Sequence, residues 1–292
     1  MKNTNNPIEK KVEINSIHFY YRDWGGSGQE IVLLHGLASN SRIWDLVAPI
    51  LSENFRVIAL DQRGHGLTSK PIGGYDFNTV INDLDGFLGK INFNNPIIIG
   101  HSWGAMVALS YAEKNIYKSK GLCLIDGGTT EISSHGFKYY EIKKKYTPPN
   151  FIGTNLGDFK KRIYSKIKSS DQMLLEDIIL SNFDIKDNVI IGPKLTFDKH
   201  MKIIESIWNY KPTEMYENIK VPVLLIPARQ DNENQFNSEK SIKLIGLDQA
   251  INSLEIVKLI WFDDSIHDIP LQKPKLLAKQ IINEFKSGFF NL

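Results

Sequence analysis

The chain has 292 residues, 42% of them hydrophobic and 23% charged, with a formal net charge of +2. That is long enough to bury a sizeable core and ordinary for a globular protein, and a balance so close to neutral points to neither nucleic acid nor an acidic surface partner. Cys123 is the single cysteine, which excludes an intrachain disulfide and a cysteine-based metal site.

The N-terminal stretch "MKNTNNPIEKK" has no apolar core that would serve as a signal peptide, and no later run reaches the length of a membrane span. The expectation is a cytoplasmic protein without membrane association. Residues 11 to 24, "KVEINSIHFYYRDW", alternate apolar and polar around a turn near Asn15 and predict a β-hairpin. Short apolar runs follow: "EIVLLHG" (30–36), "RVIALDQRG" (56–64), "NPIIIGH" (95–101), "GLCLIDG" (121–127), "VPVLLIPA" (221–228) and "VKLIWFDDS" (257–265). Most end in Gly, Asp or Ser, as buried parallel strands do when they hand the chain to a loop. Amphipathic segments at 41–52, 77–91, 102–115, about 236–246 and 271–286 alternate with them as helices. The predicted class is α/β, a mostly parallel, doubly wound sheet covered on both faces.

Residues 128 to 219 interrupt the alternation. They carry no comparable buried strand, read as mostly helical, and are broken by "TPPN" (147–150) and "NVIIGPK" (188–194). A stretch this long is no loop. It is predicted to be a helical insertion over the carboxyl ends of the strands, where open α/β sheets keep their sites, leaving 1–127 and 220–292 as the core domain. The triple lysine Lys143 to Lys145 within it reads as a solvated helix face.

The chemistry is concentrated in "GHSWGAM", residues 100 to 106. A strand passes into a helix within about two residues, a turn that forces strained dihedrals on its apex, Ser102. Gly100 and Gly104 lack the Cβ atoms that would keep strand and helix apart. G-x-S-x-G in this setting is a nucleophile elbow. A serine has no basicity at neutral pH, so a base and an orienting acid are required. In a triad of the order Ser, acid, His, only His135, His200 and His267 follow the elbow. The first two fall in the insertion, whereas His267 follows the last strand in "FDDSIHDIPLQKP", so it is the predicted base. Asp231, at the end of "VPVLLIPARQD", is the preferred acid because it leaves room for Ser102 on the other side of the ring. Asp126, at the end of "GLCLIDG", is the competing candidate, and Glu233 an outside one. The oxyanion donors are the backbone N–H groups of Trp103, directly after the nucleophile, and Leu37, in the loop after "VLLHG". His35 reads as a structural residue of that loop, and Asp61 and Arg63 of "DQRGHG" as holding a turn together.

Five segments in this order, "HGLASNSRIWD", "DQRGHGLTSKP", "GHSWGAM", "VPVLLIPARQD" and "IHDIPLQKPKLLAKQIINEF", resemble the α/β-hydrolase superfamily over nearly the whole chain. The resemblance implies a cap over the pocket, which suits 128–219. It also implies a serine hydrolase acting on a small or medium acyl compound, an ester or lactone, with no metal or organic cofactor. Carbon–carbon bond cleavage, an aminopeptidase-like activity and a slow-turnover ligand receptor are alternatives within it. Epoxide hydrolases resembling this family carry an aspartate where this chain has Ser102. Ala228 stands where relatives usually have Gly before the acid, and "NENQF" where apolar residues usually follow it.

Overall fold

In a computed structural model, which describes residues 6–166, 172–230 and 238–292, the core is an eight-stranded sheet of order β1-β2-β4-β3-β5-β6-β9-β10. Its strands are β1 (Ile8–Ile14), β2 (Ile17–Gly25), β3 (Glu30–Leu34), β4 (Arg56–Leu60), β5 (Ile97–His101), β6 (Gly121–Ile125), β9 (Val223–Ile226) and β10 (Val257–Leu259). The hairpin β1-β2 pairs antiparallel, with Asn15 and Ser16 both at positive φ in its two-residue turn. β2 joins β4 antiparallel, and every later pairing is parallel.

The central strands are apolar at nearly every position, the exceptions being the end residues Glu30, Arg56 and His101, because both faces are covered. Val32, Leu34, Ile98, Leu122, Leu124 and Leu225 point into one layer, with α2 (Phe77–Lys90), α3 (Trp103–Lys114) and α8 (Ser238–Ser253). Ile31, Leu33, Ile97, Ile99, Cys123 and Ile226 point into the other, with α1 (Ala48–Leu51) and α10 (Pro274–Lys286). Two expected helices are shorter than their patterns. Residues 41–52 form a 3₁₀ turn, Ser41–Trp44, and then α1, and the last helix is split into α9 (Ile269–Gln272) and α10, each opened by a proline.

Between β6 and β9 the chain leaves the sheet and forms α4 (Tyr139–Lys145), α5 (Leu156–Lys166), α6 (Gln172–Leu180) and α7 (Phe197–Trp208). The segment also holds two short strands that its sequence pattern did not announce. β7 (Phe183–Lys186) and β8 (Val189–Pro193) pair as an antiparallel hairpin, turned by Asp187 and Asn188 at φ 49° and 60°. β7 is largely exposed, so it carries none of the apolar run that marks a buried strand.

The buried carboxylate of Asp61 holds the loop after β3 in place. Its two oxygens accept the backbone N–H groups of Ser41 at 2.7 Å and Leu67 at 2.8 Å. Arg63 forms a buried bidentate pair with Asp83 at 2.6 and 2.9 Å, tying the turn after β4 to α2. No helix among the described residues is long and apolar enough to cross a membrane.

Candidate active site

Ser102 sits between β5 and α3 with φ 54° and ψ −116°, a left-handed conformation that costs an ordinary residue on the order of 1–3 kcal/mol. The surrounding backbone enforces it. Ser102 N–H donates to Ile125 O at 2.9 Å, and its carbonyl accepts Ala105 N–H at 3.0 Å. A Cβ on Gly100 would collide with the Gly104 carbonyl, and one on Gly104 would lie 2.5 Å from Leu34 O and 2.6 Å from His35 O. These clashes are with backbone on both sides, so only glycine lets strand and helix meet. Sequence reasoning missed a third glycine. A Cβ on Gly127, at the end of the neighbouring strand, would stand 2.7 Å from Ser102 Cα.

The loop after β3 approaches from the other side. Gly36 has so little room that a Cβ would be 3.1 Å from Ser102 Cβ. Leu37 follows it in the turn closed by Ser39 N–H on Gly36 O at 3.3 Å. Trp103 is the first residue of α3, where backbone N–H groups have no intrahelical acceptor. Leu37 and Trp103 line one cavity with Ser102 and His267. The Trp103 ring stacks on His65 with centroids 5.1 Å apart and is buried.

His267 lies in the loop between β10 and α9. Its Nδ1–H donates to Asp126 Oδ2 at 2.7 Å, which turns Nε2 into the free, basic nitrogen. Asp231, the acid preferred on sequence grounds, and Glu233 lie outside the described residues. The carboxylate on the imidazole is that of Asp126, the competing candidate. β6 lies next to β5, and Asp126, itself at φ 45°, leaves it one residue past the Ile125 carbonyl that anchors Ser102. His267 reaches back across β9 to meet it.

Asp126 is buried, and burial works against its charge. The hydrogen bond from His267 and the ammonium of Lys243 outweigh that, holding the carboxyl at about 2. For His267, burial again opposes the charged form, but the hydrogen bond and charge of Asp126 lift the imidazole above its ordinary value. Although enclosed by protein on most sides, the ring is open to the cavity, with 54% of its side chain exposed.

The other histidines near the elbow are structural. His35 is buried, donates from Nδ1 to Gly36 O at 2.8 Å and accepts Gln62 N–H on Nε2 at 3.0 Å, and burial lowers it to about 4. His101, also lowered by burial to about 4, donates from Nε2 to the carbonyl of His267 at 2.9 Å. It thereby ties the histidine loop to the elbow.

The cavity at Ser102 is about 470 Å³, and the insertion supplies Tyr146, Thr147, Pro148, Pro149, His200, Ile204 and Ile207 to its wall. A second chamber of about 270 Å³ lies beyond Asp126, lined by Ile132, Phe137, Ile142, Leu225, Ile242 and Leu247 with Lys145 and Lys243. Gly127, Thr130, Ile132, Tyr146 and His267 border both. Among the described residues no group of three or more His, Cys, Asp or Glu side chains is placed to hold a metal.

The elbow and the histidine–carboxylate pair stand together above the carboxyl ends of a parallel sheet. Residues 30–246 match the family profile described as the alpha/beta hydrolase fold, and the chain belongs to that family. It is 37% identical over 107 residues to the 2-(acetamidomethylene)succinate hydrolase of Mesorhizobium japonicum, 37% of this chain and 38% of that protein. It is 36% identical over 113 residues to the soluble epoxide hydrolase of a Corynebacterium species, 39% of each chain. These matches therefore span under two fifths of each curated relative. The crystal structure of E-2-(acetamidomethylene)succinate hydrolase superposes with a TM-score of 0.79 at 21% identity, over 96% of this chain and 99% of that one, a likeness of fold.

Proposed function

We propose that this enzyme is a serine hydrolase that cleaves a small or medium carboxylic ester, lactone or related acyl compound through an acyl-enzyme intermediate. Ser102 is the nucleophile, His267 the general base and then acid, and Asp126 the orienting acid. The observation that carries this reading is the 2.7 Å bond from His267 Nδ1 to the ionised Asp126, in a loop bordering the same cavity as Ser102.

This reading implies the following order of events. Ser102 Oγ attacks the acyl carbonyl as its proton passes to His267 Nε2, and Asp126 stabilises the imidazolium that forms. The N–H groups of Leu37 and Trp103 receive the developing oxyanion. The imidazolium protonates the leaving group, which departs. Water then enters, gives its proton to the same nitrogen, attacks the acyl carbon and releases the acid with Ser102 restored. The insertion acts as a cap whose aromatic and aliphatic residues form much of the pocket wall. An epoxide-opening mechanism is disfavoured because a serine stands at the elbow. The reaction as written calls for no metal or organic cofactor, and the ligand is a small molecule.

Turnover of p-nitrophenyl esters of increasing acyl length tests the reading. Rates on the order of 1 to 1000 per second with at least one ester are expected, and Ser102→Ala should abolish them. Stoichiometric labelling by a fluorophosphonate with no turnover of any ester or lactone would refute the hydrolase reading and leave a ligand-binding protein.

A further inference from the structure

The carboxylate of Asp126 is gripped from two sides. Oδ2 accepts from His267, while Oδ1 accepts the Ala228 N–H at 2.9 Å and also meets Lys243 Nζ. The same ammonium donates to Ala228 O at 2.6 Å. Three separate segments, the ends of β6 and β9 and the second turn of α8, thus converge on one side chain that is only 8% exposed. The approach of α8 is built in. Gly246, one turn beyond Lys243, lies where a Cβ would collide with the Thr129 carbonyl, so the helix rests directly on the loop that follows Asp126.

We propose that Lys243 is a positioning residue of the catalytic machinery, clamping Asp126 opposite His267 and offsetting part of its charge so that less of the imidazole is protonated than the Asp126 carboxylate alone would cause. This rests on the assignment of Ser102, His267 and Asp126 made above and deepens it. A carboxylate shielded from water and paired with an imidazole alone stabilises the imidazolium and raises the fraction of the base that is protonated. A second cation on the other oxygen competes for the same charge without touching Nε2. Among the described residues the charged groups facing His267 are Asp126, Lys243 and, on its own loop, Asp268, with the neutral ring of His101 4.8 Å away. Among the described residues, Lys243 is faced by Asp126 and, across the second chamber, by Lys145 and by the phenol of Tyr146, which burial keeps neutral. An ion pair serving only stability would leave the ionisation of His267 where it was when removed.

The rate at which a fluorophosphonate labels Ser102, followed from about pH 5 to 9 in the full chain, separates the two roles. Wild type and Lys243→Arg are expected to share one midpoint within about 0.3 pH unit. Lys243→Met should move it upward by about one pH unit, the size of one screened charge a few ångströms away. Labelling at pH 7 then falls several-fold, toward a limit of about tenfold at lower pH, and the deficit shrinks toward pH 9. Lys243→Gln, which can keep a hydrogen bond to Asp126 without the charge, carries the same expectation should the methionine variant fail to fold. An unmoved midpoint overturns the proposal, whether labelling is intact or uniformly slower at every pH. Wild type that is not labelled at Ser102 would instead overturn the assignment of the site, and this inference with it.

Discussion

Replacing Asp126 by Asn changes one atom and reverses the polarity of the bond to His267. The amide has one acceptor and one donor end, and its surroundings decide which way it points. Ala228 N–H and Lys243 both donate toward Oδ1, so the amide oxygen must stay there and the NH₂ must face the imidazole. That NH₂ demands an unprotonated Nδ1, which places the ring proton on Nε2, the nitrogen that has to accept from Ser102. The geometry survives and the base is lost. The expected fall in kcat is about 10³ to 10⁴, on the order of 4 to 5.5 kcal/mol in the barrier. Stability should also change. The Asp126 carboxyl is held at about 2 against an ordinary 3.8, so its charge contributes about 2 kcal/mol, fully present above 3.8 and lost as pH falls toward 2. Steady-state kinetics on a p-nitrophenyl ester and thermal melts at about pH 7 and pH 3 measure both effects. Asp231→Asn is the control and should cost less than about threefold, because Nδ1 is already taken. Loss of activity in Asp231→Asn while Asp126→Asn stays within tenfold of wild type would refute the reasoning.

Ser102→Ala should lose all measurable turnover with a melting temperature no lower than wild type, since it removes only a hydroxyl from a residue at positive φ; retained activity within tenfold would rule out Ser102 as nucleophile. The pH–rate profile should rise through one ionisation lying above the ordinary imidazole value of ~6.5, because Asp126 favours the imidazolium that must lose its proton before catalysis; a midpoint below ~6 would contradict that pairing. Gly127→Ala drives a Cβ toward Ser102 Cα, 2.7 Å away, and should cut kcat by about 10² by displacing the elbow; unchanged kinetics in a folded variant would show that the contact does not fix Ser102.

Much of this was legible in the sequence for a plain reason. Strands such as "PIIIG" and "VPVLLIP" are apolar at successive positions because both faces of the sheet are covered, and the glycines around Ser102 mark a turn that no other residue fits. Two features were not legible, for one cause. The β7–β8 hairpin has an exposed first strand, so only its Asp187-Asn188 turn signalled it. The acid was ambiguous because Asp126 and Asp231 both end apolar runs, and sequence does not say which strand end the histidine loop overlies. In the structure β6 adjoins the elbow strand and the chain from β10 folds back over β9, which brings the histidine loop over Asp126 at the end of β6. Lys243 was invisible for a similar reason. It belongs to a helix whose contact with Asp126 spans 117 residues of chain.

The central claim is covalent catalysis at Ser102 with His267 as base. Rapid mixing with p-nitrophenyl acetate, followed by acid quench and peptide mass mapping, tests it most directly. The expected result is a burst of p-nitrophenol approaching one equivalent per chain, with the acetyl group on the peptide containing Ser102 and nowhere else. Where deacetylation is too fast for a burst, His267→Ala or Asp126→Asn should slow it enough to trap the same adduct. Ester turnover with no acetyl group on Ser102 in any of these proteins would contradict it.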